Sequence, residues 1–210
     1  VASDMKQYAD IMVGSQEVEL GTGWNYAYVL AHVAQGPTDK HELARHIVAA
    51  YRQSYQKITN DFTQSAIDLH NLPALENNIN RVSNVLISCL KAQRNSSVKN
   101  GIKNARNRKN CTHFDEPSYI DLAHFYQNLL SNLSSFSVSQ SHLVSELRGL
   151  LERGQQLISN TVFTNETGKN LSNAQGISIY FPEARIHPSY PHCTFGKQNN
   201  WLRFLSTYQH

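Results

Sequence analysis

Three consecutive apolar residues, Ile11-Met12-Val13, closed by Gly14-Ser15, constrain this chain more than any other stretch. The run is too short for a helix and ends in a breaker, so it reads as a buried strand. The chain then turns acidic, Gln16-Glu17-Val18-Glu19, and passes through Gly21-Thr22-Gly23, whose glycines permit positive φ. Trp24 and Tyr26 close the stretch, just ahead of an apolar, alanine-rich helix start. A buried strand that opens into an acidic, aromatic-rimmed loop is how α/β proteins build ligand sites, at the carboxyl ends of strands. An ordinary strand-loop-helix connection with a solvated acidic loop would use the same residues, and the stretch alone does not choose between the two.

Downstream, helical periodicity dominates. Asn25–Val33 reads as a short helix stopped at Gly36-Pro37, and Thr38 or Asp39 caps a second carrying Leu43, Ile47, Tyr51 and Tyr55. Thr63–Leu69 reads as a strand. Leu75, Ile79, Val82, Leu86 and Leu90 form a sustained core stripe after Pro73. Arg94–Lys109 is polar and basic, with no acid between Glu76 and Asp115, and lacks the interleaved aromatics of single-strand binders. A solvated surface or a mobile helix end is expected there, open to cleavage. Asp121 and Ser141 are placed to cap two further helices, Asn160–Gln175 reads as a loop, and Ile177–Phe181 as a second apolar strand before Pro182. Helices outnumber strands, so part of a sheet is expected to come from outside the chain.

With 210 residues, 40% hydrophobic and 17% charged, one sizeable core is expected. A net charge of +3 does not argue for nucleic acid or membrane, and no run reaches the ~18 apolar residues of a membrane span. Cys89, Cys111 and Cys193 are an odd count without CxxC spacing, which suits neither a disulfide framework nor a structural zinc site; one disulfide stays open. Basic neighbours could lower the Cys111 thiol pKa, and a loose metal set of Cys111, His113 and His124 can be drawn from sequence. Incidental placement explains both better. Val1, Met5 and Tyr8/Ala9 fall at helical spacing, as though the chain starts partway along a helix of a longer precursor.

Four pieces carry a resemblance to a known family. YADIMVGSQE…GWNY, within Tyr8–Tyr26, resembles the segment after the catalytic cysteine in the clostripain family of cysteine peptidases, part of the caspase-like group. SAIDL at Ser65–Leu69, AR…YIDLAHF at Ala105–Phe125 and GISIYFP…Y…F…W..FL from Gly176 to Leu205 resemble later family segments, in the same order. The resemblance implies a caspase-like α/β fold, with residues 1–210 as the C-terminal part of a largely parallel sheet flanked by helices, completed by an upstream chain or segment. Within it, 1–70 would hold core strands and the substrate loop, 71–160 a helical section, and 161–210 the final strand and tail.

The family's histidine sits in a His-Gly motif and its nucleophile in an Asp-x-Cys motif, and this chain contains neither. The resemblance therefore implies that the Cys-His dyad lies upstream of Val1, and no catalytic residue is assigned here. It implies an endopeptidase cutting after Arg or Lys, with this chain supplying pocket walls. A guanidinium needs a carboxylate that accepts its fork of donors, which nominates Glu17 and Glu19. In an extended segment these alternate residues would face the same way. Ser15 at the strand exit and Trp24, framing the peptide backbone by strand addition, complete the expected substrate-binding set. The expected partners are the upstream chain of the same precursor and a protein or peptide substrate with Arg or Lys at the cleaved position. Neither nucleic acid nor membrane is expected. The resemblance requires no cofactor, allows a calcium ion, and implies a secreted or extracytoplasmic, bacterial-type location. A non-catalytic pseudo-peptidase or binding module of the same fold is the alternative.

Overall fold

The computed structural model describes residues 1–36, 38–92, 96–136 and 141–210. Pro37 and Arg94, read above as a helix stop and the start of the basic run, lie outside the described residues. A short helix, α1 (Ala2–Met5), leads into the expected strand, β1 (Ile11–Gly14). Two helices follow, α2 (Tyr26–Val33) and α3 (Lys40–Tyr55), and then β2 (Thr63–Asp68). Asn25 caps α2 through the N–H of Tyr28, and Asp39 caps α3 through the N–H groups of His41 and Glu42, each cap contributing about 1 kcal/mol.

β2 is the middle strand of a three-stranded sheet ordered β1-β2-β4, whose third member is β4 (Val162–Thr167). β1 registers Ile11 against Asp68 and Gly14 against Ser65, and β2 registers Thr63 against Thr167. Both pairings are antiparallel, as is the separate pair of β3 (Tyr119–Asp121) and β5 (Ser178–Tyr180). The α/β class and the strands expected at 11–13, 63–69 and 177–181 are present. The largely parallel arrangement is not: every described pairing is antiparallel. The connection explains the β1–β2 case. A single crossover helix brings the chain back to start a parallel strand, whereas here two helices intervene. His46 Nε2 lies 2.8 Å from the Tyr28 carbonyl and Glu42 reaches His32 at 3.8 Å, so α2 and α3 run antiparallel and turn the chain once more.

The main core gathers around α4 (Leu72–Lys91), where Leu75, Ile79, Val82 and Leu86 are buried as their spacing predicts. Each such side chain contributes about 1.5–3 kcal/mol. α4 packs on α7 (Ser141–Thr161) and α9 (Trp201–Gln209), with α6 (Leu122–Asn132) alongside α7. A Cβ at Gly154 would stand 2.4 Å from the Tyr126 ring, so glycine is what lets α7 approach α6 there. Trp201, fully buried, donates its indole N–H to the Tyr180 carbonyl at 2.7 Å and meets Phe181 edge-to-face.

Two further expectations are corrected. The stretch Asn160–Gln175 is not all loop, because α7 runs to Thr161 and passes directly into β4. Its Asn165 and Glu166 are poor strand formers, but Asn165 Nδ2 donates to the Ala174 carbonyl and Glu166 pairs with Arg52 at 3.2 Å. The basic run is an amphipathic helix, α5 (Ser96–Arg106), with Val98, Ile102 and Ala105 fully buried at three- and four-residue steps. Arg106 is also inside. It donates to the Phe181 carbonyl at 2.8 Å, pairs with Glu183 at 3.2 Å and lies over the Phe181 ring. A short helix, α8 (Thr194–Gln198), begins at Cys193, whose sulfur accepts the Gly196 N–H at 3.2 Å.

Candidate functional site

Ser15–Trp24 leaves the carboxyl end of β1, and its first three residues are fastened to the start of β2. The Thr63 hydroxyl accepts the N–H groups of Gln16 (2.9 Å) and Glu17 (3.0 Å) and shares a hydrogen bond with the Ser15 hydroxyl at 2.9 Å. Thr63 itself is buried, so the loop starts from a fixed point of the central strand.

The chain bends at Gln16-Glu17 instead of continuing extended, and this corrects the expectation that Glu17 and Glu19 face the same way. The Glu17 carboxylate accepts the Asp115 N–H with both oxygens, at 2.9 and 3.1 Å, and the Val18 N–H at 2.7 Å. Glu19, exposed, accepts the indole N–H of Trp24 at 3.0 Å. Glu17 thus holds the segment leading to β3, and Glu19 holds the far end of its own loop. A carboxylate has about four acceptor positions, so each retains capacity for an incoming donor.

The loop closes in a turn with Gly23 at φ +66°, its N–H returning to the Leu20 carbonyl at 2.9 Å. Tyr55 fastens this turn: its hydroxyl donates to the Gly23 carbonyl and contacts the Thr22 hydroxyl at 2.8 Å. Leu20 and Trp24 pack on a buried aromatic floor of Tyr51, Tyr55 and Phe62. Burial, with the Glu19 carboxylate adding to it, raises the Tyr51 phenol pKa well above the ordinary range and keeps it neutral. The four residues named from sequence thus lie along one loop, Trp24 on its aromatic floor and Glu19 at its surface. Sequence reasoning named Asp121 only as a helix cap and missed what it, Gln16, Thr63 and Tyr55 do at the loop, because the contacts that bring them there span 32 to 160 positions.

No cysteine sits in a catalytic arrangement among the described residues. Cys89 and Cys111 are buried, and burial pushes their thiols up to about 11 and about 12; at Cys111 it outweighs the lowering effect of Arg106, in keeping with the incidental placement favoured from sequence. His113 faces the Cys111 carbonyl and His124 Nδ1 accepts the Thr112 N–H, so neither ring addresses the thiol. Cys193 is half-buried, and all three thiols are free. Among the described residues, no group of three or more His, Cys, Asp or Glu is arranged to hold a metal ion. No described helix is long and apolar enough to cross a membrane. An apolar cleft of about 260 Å³ lies elsewhere, against Val1–Ser3, Leu75 and Ile179, and no residue of Ser15–Trp24 lines it.

A family model described as the clostripain family matches residues 1–208. No curated protein matches the sequence. Among solved structures, the chain is similar to a cysteine protease of B. fragilis, with 14% identity and a TM-score of 0.58 over 99% of this chain and 82% of that one. It is similar to a secreted cysteine protease of Bacteroides thetaiotaomicron in complex with an irreversible peptide inhibitor, with 15% identity and a TM-score of 0.55 over 97% of this chain but only 55% of that one. A clostripain of the same organism, in complex with the peptide inhibitor BTN-VLTK-AOMK, gives 13% identity and a TM-score of 0.54 over 97% and 80%. These likenesses show that the chain shares its fold with those cysteine proteases.

Proposed function

Because the chain belongs to the clostripain family of cysteine peptidases, we propose that it is the C-terminal part of an endopeptidase that cuts after Arg or Lys. In this reading it supplies walls of the substrate pocket, while an upstream segment of the same precursor supplies the Cys-His dyad, retained as a partner whether or not the chain is cleaved between them. Extracytoplasmic action on protein or peptide substrates is part of the same proposal, as is the division of the domain at about residues 70 and 160.

The observation that carries it is the loop Ser15–Trp24: two carboxylates and an indole, leaving the carboxyl end of β1 and pinned at both ends by hydrogen bonds to β2 and α3. A pre-organised carboxylate binds a guanidinium or ammonium without first paying to order itself. The peptide inhibitor bound to the B. thetaiotaomicron clostripain carries a lysine at the end of its VLTK sequence, which supports a basic-residue preference in this reading.

Peptide kinetics test the reading, using this chain together with its upstream segment. Glu17→Gln or Glu19→Gln keeps an acceptor oxygen and removes the charge. A charge-assisted hydrogen bond contributes about 1.5–3 kcal/mol, so the affected variant should lose roughly tenfold to a hundredfold in kcat/KM on Arg and Lys peptides. A Gln peptide should be little affected. Trp24→Ala should weaken all three alike. Equal activity of wild type and both Gln variants on the Arg peptide would remove these glutamates from the pocket. Absence of any hydrolysis would favour the non-catalytic alternative.

A further inference from the structure

Gln16 is the one residue of the loop whose side chain reaches across to the second sheet. Its amide N–H donates to Asp121 Oδ2 at 2.9 Å, and its amide oxygen accepts the Gly176 N–H at 2.8 Å. Asp121 ends β3, is fully buried, and accepts two more donors: the Gln175 N–H on Oδ2 at 2.6 Å and the His124 N–H on Oδ1 at 2.8 Å. The amide is therefore held in one orientation. A carboxylate only accepts and a peptide N–H only donates, so a flipped Gln16 would set donor against donor at Gly176 and acceptor against acceptor at Asp121. The peptide it grips has no freedom either. Gly176 stands at φ +91°, a Cβ there would lie 2.7 Å from Val162 Cγ1, and the Ser65 hydroxyl holds its carbonyl at 2.8 Å.

We propose that Gln16 and Asp121 are positioning residues for the substrate loop, setting where Ser15–Trp24 stands relative to residues 111–121 and 175–177. The proposal rests on the reading of Ser15–Trp24 as the substrate loop. Three segments far apart in sequence meet at this one amide. Thr63 ties the loop to β2, whereas Gln16 ties it to Asp121 at the end of β3 and to Gly176 two residues ahead of β5, beside the tie of Glu17 to Asp115. Asp121 acts through Gln16 and through capping α6. Neither residue touches substrate; they hold the residues that do.

Substitution at Gln16 separates this role from general stability. Protonated glutamic acid has the shape and the donor-acceptor pattern of the glutamine amide. Its O–H donates to Asp121 and its C=O accepts from Gly176. Ionised, it sets two carboxylates within hydrogen-bond distance, which disfavours the doubly charged state. The other titratable groups bearing on Asp121 are His124 on its own helix and the Cys111 thiol facing it, and both remain in every variant.

The experiment follows amide hydrogen exchange across residues 15–24 and peptide kinetics, in this chain together with its upstream segment. Gln16→Ala should speed exchange about tenfold or more and raise KM about tenfold with kcat within about twofold. Gln16→Glu should behave like Gln16→Ala at high pH and return toward wild type as the pH is lowered, when each is compared with wild type at the same pH. A variant that merely loosens the fold would show no such return. Unchanged exchange in Gln16→Ala, or a Gln16→Glu defect indifferent to pH, overturns the proposal. If the exchange pattern appears but wild type cleaves no peptide, the positioning pair stands and the peptidase reading fails. If wild type cleaves and the exchange pattern is missing, the reverse holds.

Discussion

At the residue scale, burial decides which groups do chemistry and which hold structure. The three acceptor bonds at Asp121 offset part of the cost of its charge but not all of it. Loss of hydration, the largest influence, raises its pKa above the ordinary 3.8, against the lowering effect of the Gln175, Gln16 and His124 contacts. The sign for stability follows. The folded chain binds this proton more tightly than the unfolded chain, so Asp121 favours folding below about pH 4 and that contribution is lost as pH rises through the raised folded value. Asp121→Asn removes the titration altogether. The thermal midpoint of wild type minus that of Asp121→Asn should fall as the pH rises from acid toward neutrality. A difference that rises with pH would mean the carboxylate's hydrogen bonds outweigh its desolvation. Cys111 obeys the same physics, since a thiol pushed up to about 12 is a packing group and not a nucleophile.

At the scale of elements, α5 shows how charge can mask amphipathicity. Lys99 and Lys103 stand outside, while Val98, Ile102 and Ala105 are buried against the core. A protease needs several residues of extended backbone, which a packed helix withholds. Trypsin at native conditions should therefore spare the bonds after Lys99, Lys103 and Arg106. It should cut first in the exposed turn after α5, at Arg108 or Lys109. Peptide mapping of the first nicks checks this, and early cleavage after Lys99 or Lys103 would show that α5 opens locally. Ile102→Ala, which empties a fully buried site, should cost about 2–5 kcal/mol and bring those cuts forward.

At the scale of the molecule, the three-stranded sheet has β1 and β4 at its edges, and β1 is only half-buried along its length. An open edge presents unpaired N–H and C=O groups, which invite either a native partner strand or aggregation. In the function proposed above, the upstream segment supplies that partner strand. The chain with that segment should unfold in one sharp transition as a monomeric unit, while the chain alone should aggregate or melt broadly. A sharp, monomeric transition of the isolated chain would show that this edge needs no partner.

Much of the fold was legible in the sequence because its signals are local. The Leu75–Leu86 stripe, the Asp39 and Asp121 caps and the apolar runs at 11–13 and 177–181 each follow from periods of 3.6 or 2 and from caps a few residues away. The four family-like segments, in order, carried the family as well, since a motif is local too. What the sequence could not decide is where those elements meet. Strand direction depended on how two helices pack between β1 and β2. The strand at Val162–Thr167 formed only because β2 offered it an edge. Arg106 was drawn inward by a carbonyl 75 residues away. The candidate site divides along the same line. Its acids and its tryptophan could be named from one stretch, but the bend that parts Glu17 from Glu19 comes from Thr63, Asp115 and Asp121. Those contacts span 46 to 105 positions, and only the folded chain brings their atoms within hydrogen-bond distance.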